Sequence, residues 1–276
     1  MIFETVTLSP TEATLTALCV SNTAELKQTP RRAIIVCPGG GYGFLSDREA
    51  EPLLTQYLAA GFATFLLRYS INRNAARFHP LKEAALAIKY VRENAARFNV
   101  DPDYVFIGGS SAGGHLAASA GILWDHPKVR EALGDAPRGI GRPTGMVLCY
   151  PVITGVGPTH IHSIQRLCGK EIGDEINYTR EEAEPFSLEL HVNDTTPPAF
   201  IWHTTTDQTV PVENSILLAG AYAAAKVPFE LHIFPEGRHG LALCNEQTAS
   251  GNENNIVPHN EVWVELSIKW MRSITV

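Results

Sequence analysis

Charge is scarce in this chain and leans only mildly to one sign. Of its 276 residues 18% are charged, with 22 Lys and Arg against 29 Asp and Glu, for a formal net charge of −7. A nucleic-acid-binding protein usually carries a basic stripe, and none is present; pairs such as Arg31-Arg32 read as solvated surface. No apolar run approaches the length of a membrane span. The opening MIFETVTLSP lacks a basic segment followed by an apolar one, so no secretory leader is expected. The five cysteines, Cys19, Cys37, Cys149, Cys168 and Cys244, are odd in number and show no CxxC spacing. Cys37 and Cys149 sit in apolar runs and read as buried free thiols, and a cytoplasmic location is the expectation. Repeats, low-complexity tracts and long linkers are missing too, so residues 1–276 are expected to form a single domain.

What is present is apolar: 45% of the residues, enough for a large core. Residues 2–8 and 14–20 alternate apolar and polar, as an antiparallel hairpin does. Ala33-Ile34-Ile35-Val36-Cys37 is continuously apolar, as a parallel strand buried on both faces should be. Further strands are expected over 62–69, 104–108, 146–150, 200–204 and 229–234. Helices are expected over 49–60, 80–98, 111–123, 212–225 and 261–271. In the second of these, Leu81, Ala84, Ala85, Ile88, Val91 and Ala95 recur at helical spacing behind Pro80. Asp101-Pro102 reads as a turn. Residues 152–196 show no strand period and read as an inserted cap, with one helical patch over 179–184. Strands alternating with helices imply an α/β fold, a mostly parallel sheet flanked by helices on both faces. In such sheets ligands bind beyond the carboxyl ends of the strands.

The chemistry-bearing motifs all fall at such ends. Gly109-Ser110-Ser111-Ala112-Gly113 fits G-x-S-x-G between a strand and a helix, and makes Ser111 the candidate nucleophile. Its two glycines are needed because the turn crowds the residues two before and two after the serine. Pro38-Gly39-Gly40-Gly41-Tyr42 follows the first central strand. Acyl transfer needs backbone N–H donors already aimed at the developing oxyanion, and Gly40, Gly41 and Ala112 are the candidates. Tyr42 beside them is the candidate substrate contact. A dinucleotide fingerprint is excluded because Phe44 stands at its last glycine, and a P-loop because no Gly-Lys-Ser/Thr follows. Asp207 leaves a late strand and His239 leaves the last one, in the order Ser, Asp, His. Asp194 is the fallback acid, though it precedes its strand. His115 and His203 read as packing or hydrogen-bonding residues. His160 and His162 lie in the cap without a third ligand for a metal.

At PGGGYGFLSDREAEP (38–52), GGSSAGGHLAA (108–118), PPAFIWHTTTDQTVPVENS (197–215) and PFELHIFPEGRHGL (228–241) the chain resembles the bacterial acetyl-esterase and xylan-esterase-like branch of the α/β-hydrolases. That branch is related to hormone-sensitive-lipase-like esterases. The resemblance implies the α/β-hydrolase fold and a small-molecule ester substrate with a short acyl group, acetylated sugars among them. It also implies no cofactor, and Ser111, Asp207 and His239 as the triad. Two departures bear on specificity rather than on the triad: Pro38 replaces a usual histidine, and Thr206 replaces the first of two adjacent aspartates. A serine peptidase or amidase and a non-catalytic binding homologue are the alternatives. Neither a membrane nor a nucleic-acid partner is expected, and a homo-oligomer is left open. The polar, Gly-rich 152–196 segment and the small residues Ala112-Gly113-Gly114 lead to the expectation of a small acyl pocket.

Overall fold

The computed structural model describes residues 1–8, 10–23, 25–26 and 29–276. The chain opens with β1 (Ile2–Thr7) and β2 (Thr14–Cys19), an antiparallel hairpin paired from Ile2↔Cys19 to Thr7↔Thr14. Then follow β3 (Arg31–Cys37), α1 (Glu51–Ala59), β4 (Ala63–Arg68), α2 (His79–Glu93), α3 (Ala95–Phe98), β5 (Val100–Ser110) and α4 (Ala112–Ile122). Next come α5 (Pro127–Leu133), β6 (Met146–Cys149), α6 (Ile161–Leu167), α7 (Arg180–Ala183) and β7 (Ala199–Thr204). The chain closes with α8 (Glu213–Ala225), β8 (Phe229–Phe234), α9 (Glu246–Ala249) and α10 (Val262–Ser273).

Among the described residues the strands form one eight-stranded sheet, ordered β1-β2-β4-β3-β5-β6-β7-β8. The hairpin joins it through an antiparallel β2–β4 pair, and every pairing from β4 to β8 is parallel. Successive residues of the central strands feed opposite faces, which is why those strands read as unbroken apolar runs. Ile35, Phe65, Ile107, Leu148 and Ile201 pack on one face against Ile88 of α2, Leu116 of α4 and Leu218 of α8. Ile34, Leu66, Phe106, Val147 and Trp202 pack on the other against Leu54 of α1 and Trp263 of α10. Trp202 and Trp263 stack with ring centroids 5.1 Å apart. Truncating either to Ala would cost about 3–5 kcal/mol.

Three local expectations are corrected. The helix expected over 80–98 breaks at Asn94, whose side-chain amide donates to the Tyr90 carbonyl at 2.9 Å in competition with the backbone ladder. Asp101-Pro102 lies inside β5 rather than in a turn. The register there jumps from Arg31↔Val100 to Ala33↔Val105, a bulge that accommodates the proline. The 152–196 segment is more helical and better buried than its composition suggested. It contains α6 as well as α7, and α7 starts with a Thr179–Glu182 capping box. Val152, Ile153, Ile164, Phe186 and Leu188 from this segment join the core. Among the described residues no helix is long and apolar enough to cross a membrane. All five cysteines are free, with only Cys168 incompletely buried.

Candidate active site

β5 ends at Ser110 and α4 begins at Ala112, which leaves Ser111 alone on the corner with φ 54 and ψ −118. A non-glycine residue held there stores about 1–3 kcal/mol of strain. The surroundings impose it: the Ser111 N–H donates to the Cys149 carbonyl at 2.9 Å, and the Val152 N–H donates to the Ser111 carbonyl at 3.2 Å. A Cβ on Gly109 would run into the Gly113 carbonyl, and one on Gly113 into the carbonyls of Cys37 and Pro38. The turn is thus as crowded as its G-x-S-x-G spacing implies.

His239 lies in the loop after β8. Its Nε2 is 2.8 Å from Ser111 Oγ, and its Nδ1 is 2.6 Å from Asp207 Oδ2. Asp207 follows β7 and is buried. Its Oδ1 accepts the N–H groups of Thr209 and Val210, both at 2.9 Å. His203 Nε2 stands 3.3 Å from Oδ2 and 3.0 Å from the Val210 carbonyl, while Ser215 Oγ sits 2.8 Å from His203 Nδ1. Burial works to raise the Asp207 carboxyl. Hydrogen bonds from His203 and His239, the charge of His239 and the Val210 N–H outweigh it, and hold the carboxyl well below the usual carboxylate range. A carboxylate behind an imidazole that meets a serine hydroxyl is an arrangement able to activate that hydroxyl as a nucleophile.

On the other side of Ser111 runs the glycine loop after β3. Gly40 has φ 126, and a Cβ there would collide with the Phe44 carbonyl, so only glycine fits. Among the described residues the N–H groups of Gly40 and Gly41 have no protein acceptor. The Ala112 N–H belongs to the first turn of α4 and has no partner inside the helix. The loop is anchored through Gly39, whose N–H donates to Glu49 Oε2 at 2.9 Å. The other Glu49 oxygen accepts the Tyr150 hydroxyl at 2.7 Å, and that hydroxyl accepts the Ala242 N–H at 3.0 Å. The Tyr150 ring packs edge-on against His239, with centroids 5.2 Å apart. Arg48 donates to the Gly240 carbonyl, next to His239. One buried carboxylate and its neighbour thus tie the glycine loop to the histidine loop.

The cleft has a volume of about 410 Å³, and Ser111, His239, Gly40 and Gly41 share its walls with Phe44, Glu49, His160, His162 and Arg166. His160 Nδ1 is 2.8 Å from Ser163 Oγ. Burial, then the charges of His239, His162 and Arg166, push the His160 imidazole down to about 4, so it is neutral near pH 7. Arg166 donates to the Gly41 carbonyl at 3.1 Å. Phe44, Glu49 and Arg166 were not read from the sequence as site residues. His162 and Arg166 stand one helical turn apart on α6, a signal lost because α6 itself was not anticipated.

Tyr42 is corrected. It is 1% exposed, and at φ 59 its side chain turns inward, away from the cleft. Its hydroxyl donates to His115 Nδ1 at 2.8 Å, and its ring packs on Tyr69. His115 Nε2–H donates in turn to the Phe186 carbonyl at 2.9 Å, and burial pushes His115 down to about 4. Asp194 is exposed ahead of β7, and no contact joins it to His239 among the described residues. Among the described residues no group of three or more His, Cys, Asp or Glu side chains could hold a metal ion.

A parallel sheet with a serine on the strand–helix corner, backed by histidine and aspartate from the two strand ends beyond it, defines the α/β-hydrolase fold. The model of the BD-FAE family matches residues 22–222, and the chain belongs to that family. It is 38% identical over 224 residues to endo-1,4-beta-xylanase B of Butyrivibrio fibrisolvens, covering 80% of this chain and 34% of that protein. It is 30% identical over 215 residues to an acetylxylan esterase of Xylanibacter ruminicola, covering 77% of this chain and 41% of that one. The chain therefore spans well under half the length of these relatives. Among solved structures, an acetyl ester-xyloside bifunctional hydrolase from Caldicellulosiruptor lactoaceticus is 34% identical with a TM-score of 0.79, covering 96% of this chain and 89% of that one.

Proposed function

We propose that the chain is a serine carboxylesterase that removes short acyl groups, acetyl above all, from sugar hydroxyls through an acyl-enzyme on Ser111. The observation that carries this reading is the chain of hydrogen bonds from Ser111 through His239 to Asp207, at 2.8 and 2.6 Å. His239 takes the Ser111 proton as Oγ attacks the ester carbonyl. The oxyanion is met by the N–H groups of Gly40, Gly41 and Ala112. His239 then protonates the departing alcohol, and water repeats the sequence to release the acid. The acyl preference rests on the Ser111 surroundings, where Gly113 and Gly114 are packed against backbone and Pro151. The sugar preference rests on walls rich in hydrogen-bonding groups beside the exposed Phe44 ring. It also draws on the acetylxylan and acetyl ester-xyloside names of the relatives.

Three measurements test the reading. Organophosphate labelling followed by peptide mass spectrometry should find the adduct on Ser111, and Ser111→Ala should abolish turnover of p-nitrophenyl acetate. Efficiency across p-nitrophenyl esters should fall with acyl length. In an accommodating pocket each methylene would instead add about 0.8 kcal/mol. A maximum at octanoyl or longer overturns the acyl assignment, and an adduct on Ser110 overturns the nucleophile.

A further inference from the structure

A second cavity, of about 710 Å³, shares Arg166 with the Ser111 cleft as a common wall. It lies between the segment joining β4 to α2 and the segment that follows α6. We propose that it is an alcohol-side subsite for a carboxylate, so that the enzyme favours acetylated oligosaccharides that carry a uronic acid. This rests on the esterase reading of the Ser111 site and extends it to the part of the substrate that leaves.

The lining is basic although the chain as a whole carries −7. Arg73, Arg77, Arg166 and Lys170 face Glu171 alone among acidic residues. Lys170 is already paired with Glu182 at 2.6 Å. Among the described residues Arg166 donates only to backbone carbonyls, those of Gly41 and His162. Among the described residues Arg73 and Arg77 have no carboxylate partner. Three arginines thus line one space with Glu171 as the acidic residue beside them, and a guanidinium fork matches a carboxylate bidentately.

The backbone that presents these groups is strained. Asn72, Arg77 and Phe78 have φ of 56, 59 and 61. For Arg and Phe such geometry is costly and persists only where the surroundings impose it. Here the Asn72 N–H donates to the Tyr42 carbonyl at 2.7 Å, and the Phe78 ring is held between His126 and Phe186 at 4.6 and 4.9 Å. Phe78 is pinned while Arg77 beside it is exposed at the cavity. The volume falls within the range of about 300–1,000 Å³ typical of small-ligand sites.

The test compares kcat/KM for deacetylation of an acetylated oligosaccharide bearing a uronic acid with that for its uronate methyl ester. Each rate is divided by the same protein's p-nitrophenyl acetate rate. The acid should be favoured about ten-fold, mainly through KM, with the advantage shrinking as salt rises. The double variant Arg73→Gln, Arg77→Gln should lose the preference. Equal rates for acid and methyl ester, or a preference that survives in the double variant, overturn the subsite while p-nitrophenyl acetate turnover leaves the esterase reading standing. Should no ester be hydrolysed, calorimetric titration of the uronate-bearing oligosaccharide into the Ser111→Ala protein decides the subsite separately. Binding lost in the double variant supports it, and no binding refutes it.

Discussion

Replacing Asp207 by asparagine isolates what the carboxylate does, because the surroundings dictate how the amide must lie. Oδ1 of Asp207 accepts two backbone N–H groups, from Thr209 and Val210, both at 2.9 Å. An amide NH₂ in that place would face two donors and leave them unsatisfied, at about 1–3 kcal/mol each. The carbonyl oxygen of the new amide therefore takes the Oδ1 position, and the NH₂ is forced toward His239 Nδ1, which in the native protein lies 2.6 Å from Oδ2. Facing a donor, Nδ1 becomes the acceptor and the single imidazole proton moves to Nε2. Nε2–H then donates to Ser111 Oγ instead of taking its proton. The expected fall in kcat is about 10⁴-fold, or about 5 kcal/mol of lost transition-state stabilisation. Were the amide free to flip, the native tautomer would survive and the loss would be small, so the size of the effect tests the two N–H bonds as well as the triad. The assay is p-nitrophenyl acetate turnover near neutral pH, beside ¹⁵N NMR of the His239 tautomer in the folded variant. A loss below about ten-fold, with the proton still on Nδ1, would refute the reasoning.

Glu49→Gln keeps one acceptor for two donors; kcat should drop about ten-fold with KM little changed, and urea unfolding should show a loss of about 1–3 kcal/mol. An unchanged kcat would mean that the glycine loop holds its shape without the Glu49 anchor. Tyr42→Phe should cost about 1 kcal/mol of stability and leave KM within about two-fold; a large rise in KM would return Tyr42 to the substrate. His115 and His160, both pushed down to about 4, are neutral near pH 7. Asp207, held below the usual range, contributes stability that is present above the ordinary carboxylate value of about 3.9 and is lost as pH falls further below it. Its protonation should appear as acid unfolding, followed by circular dichroism.

Much of the architecture follows from local pattern alone. The unbroken apolar run of β3 and the small-residue spacing around Ser111 are properties of a few consecutive residues, read directly as a doubly covered strand and a crowded turn. The order Ser111, Asp207, His239 and their positions past strand ends were equally legible, because a parallel sheet brings all its carboxyl ends to one edge. What the sequence could not carry is the direction of individual side chains. Tyr42 and Phe44 stand two residues apart on one glycine loop, yet left-handed backbone at Tyr42 turns it into the core while Phe44 stays exposed at the cleft. Nor could spacing pair Glu49 with Tyr150, 101 positions away, or bring Arg77 and Arg166 of α6 to one cavity. The first depends on how the segment before α1 meets the end of β6, the second on how α6 packs against the segment between β4 and α2. Packing of that kind is a property of the whole core, and only the tertiary structure decided it.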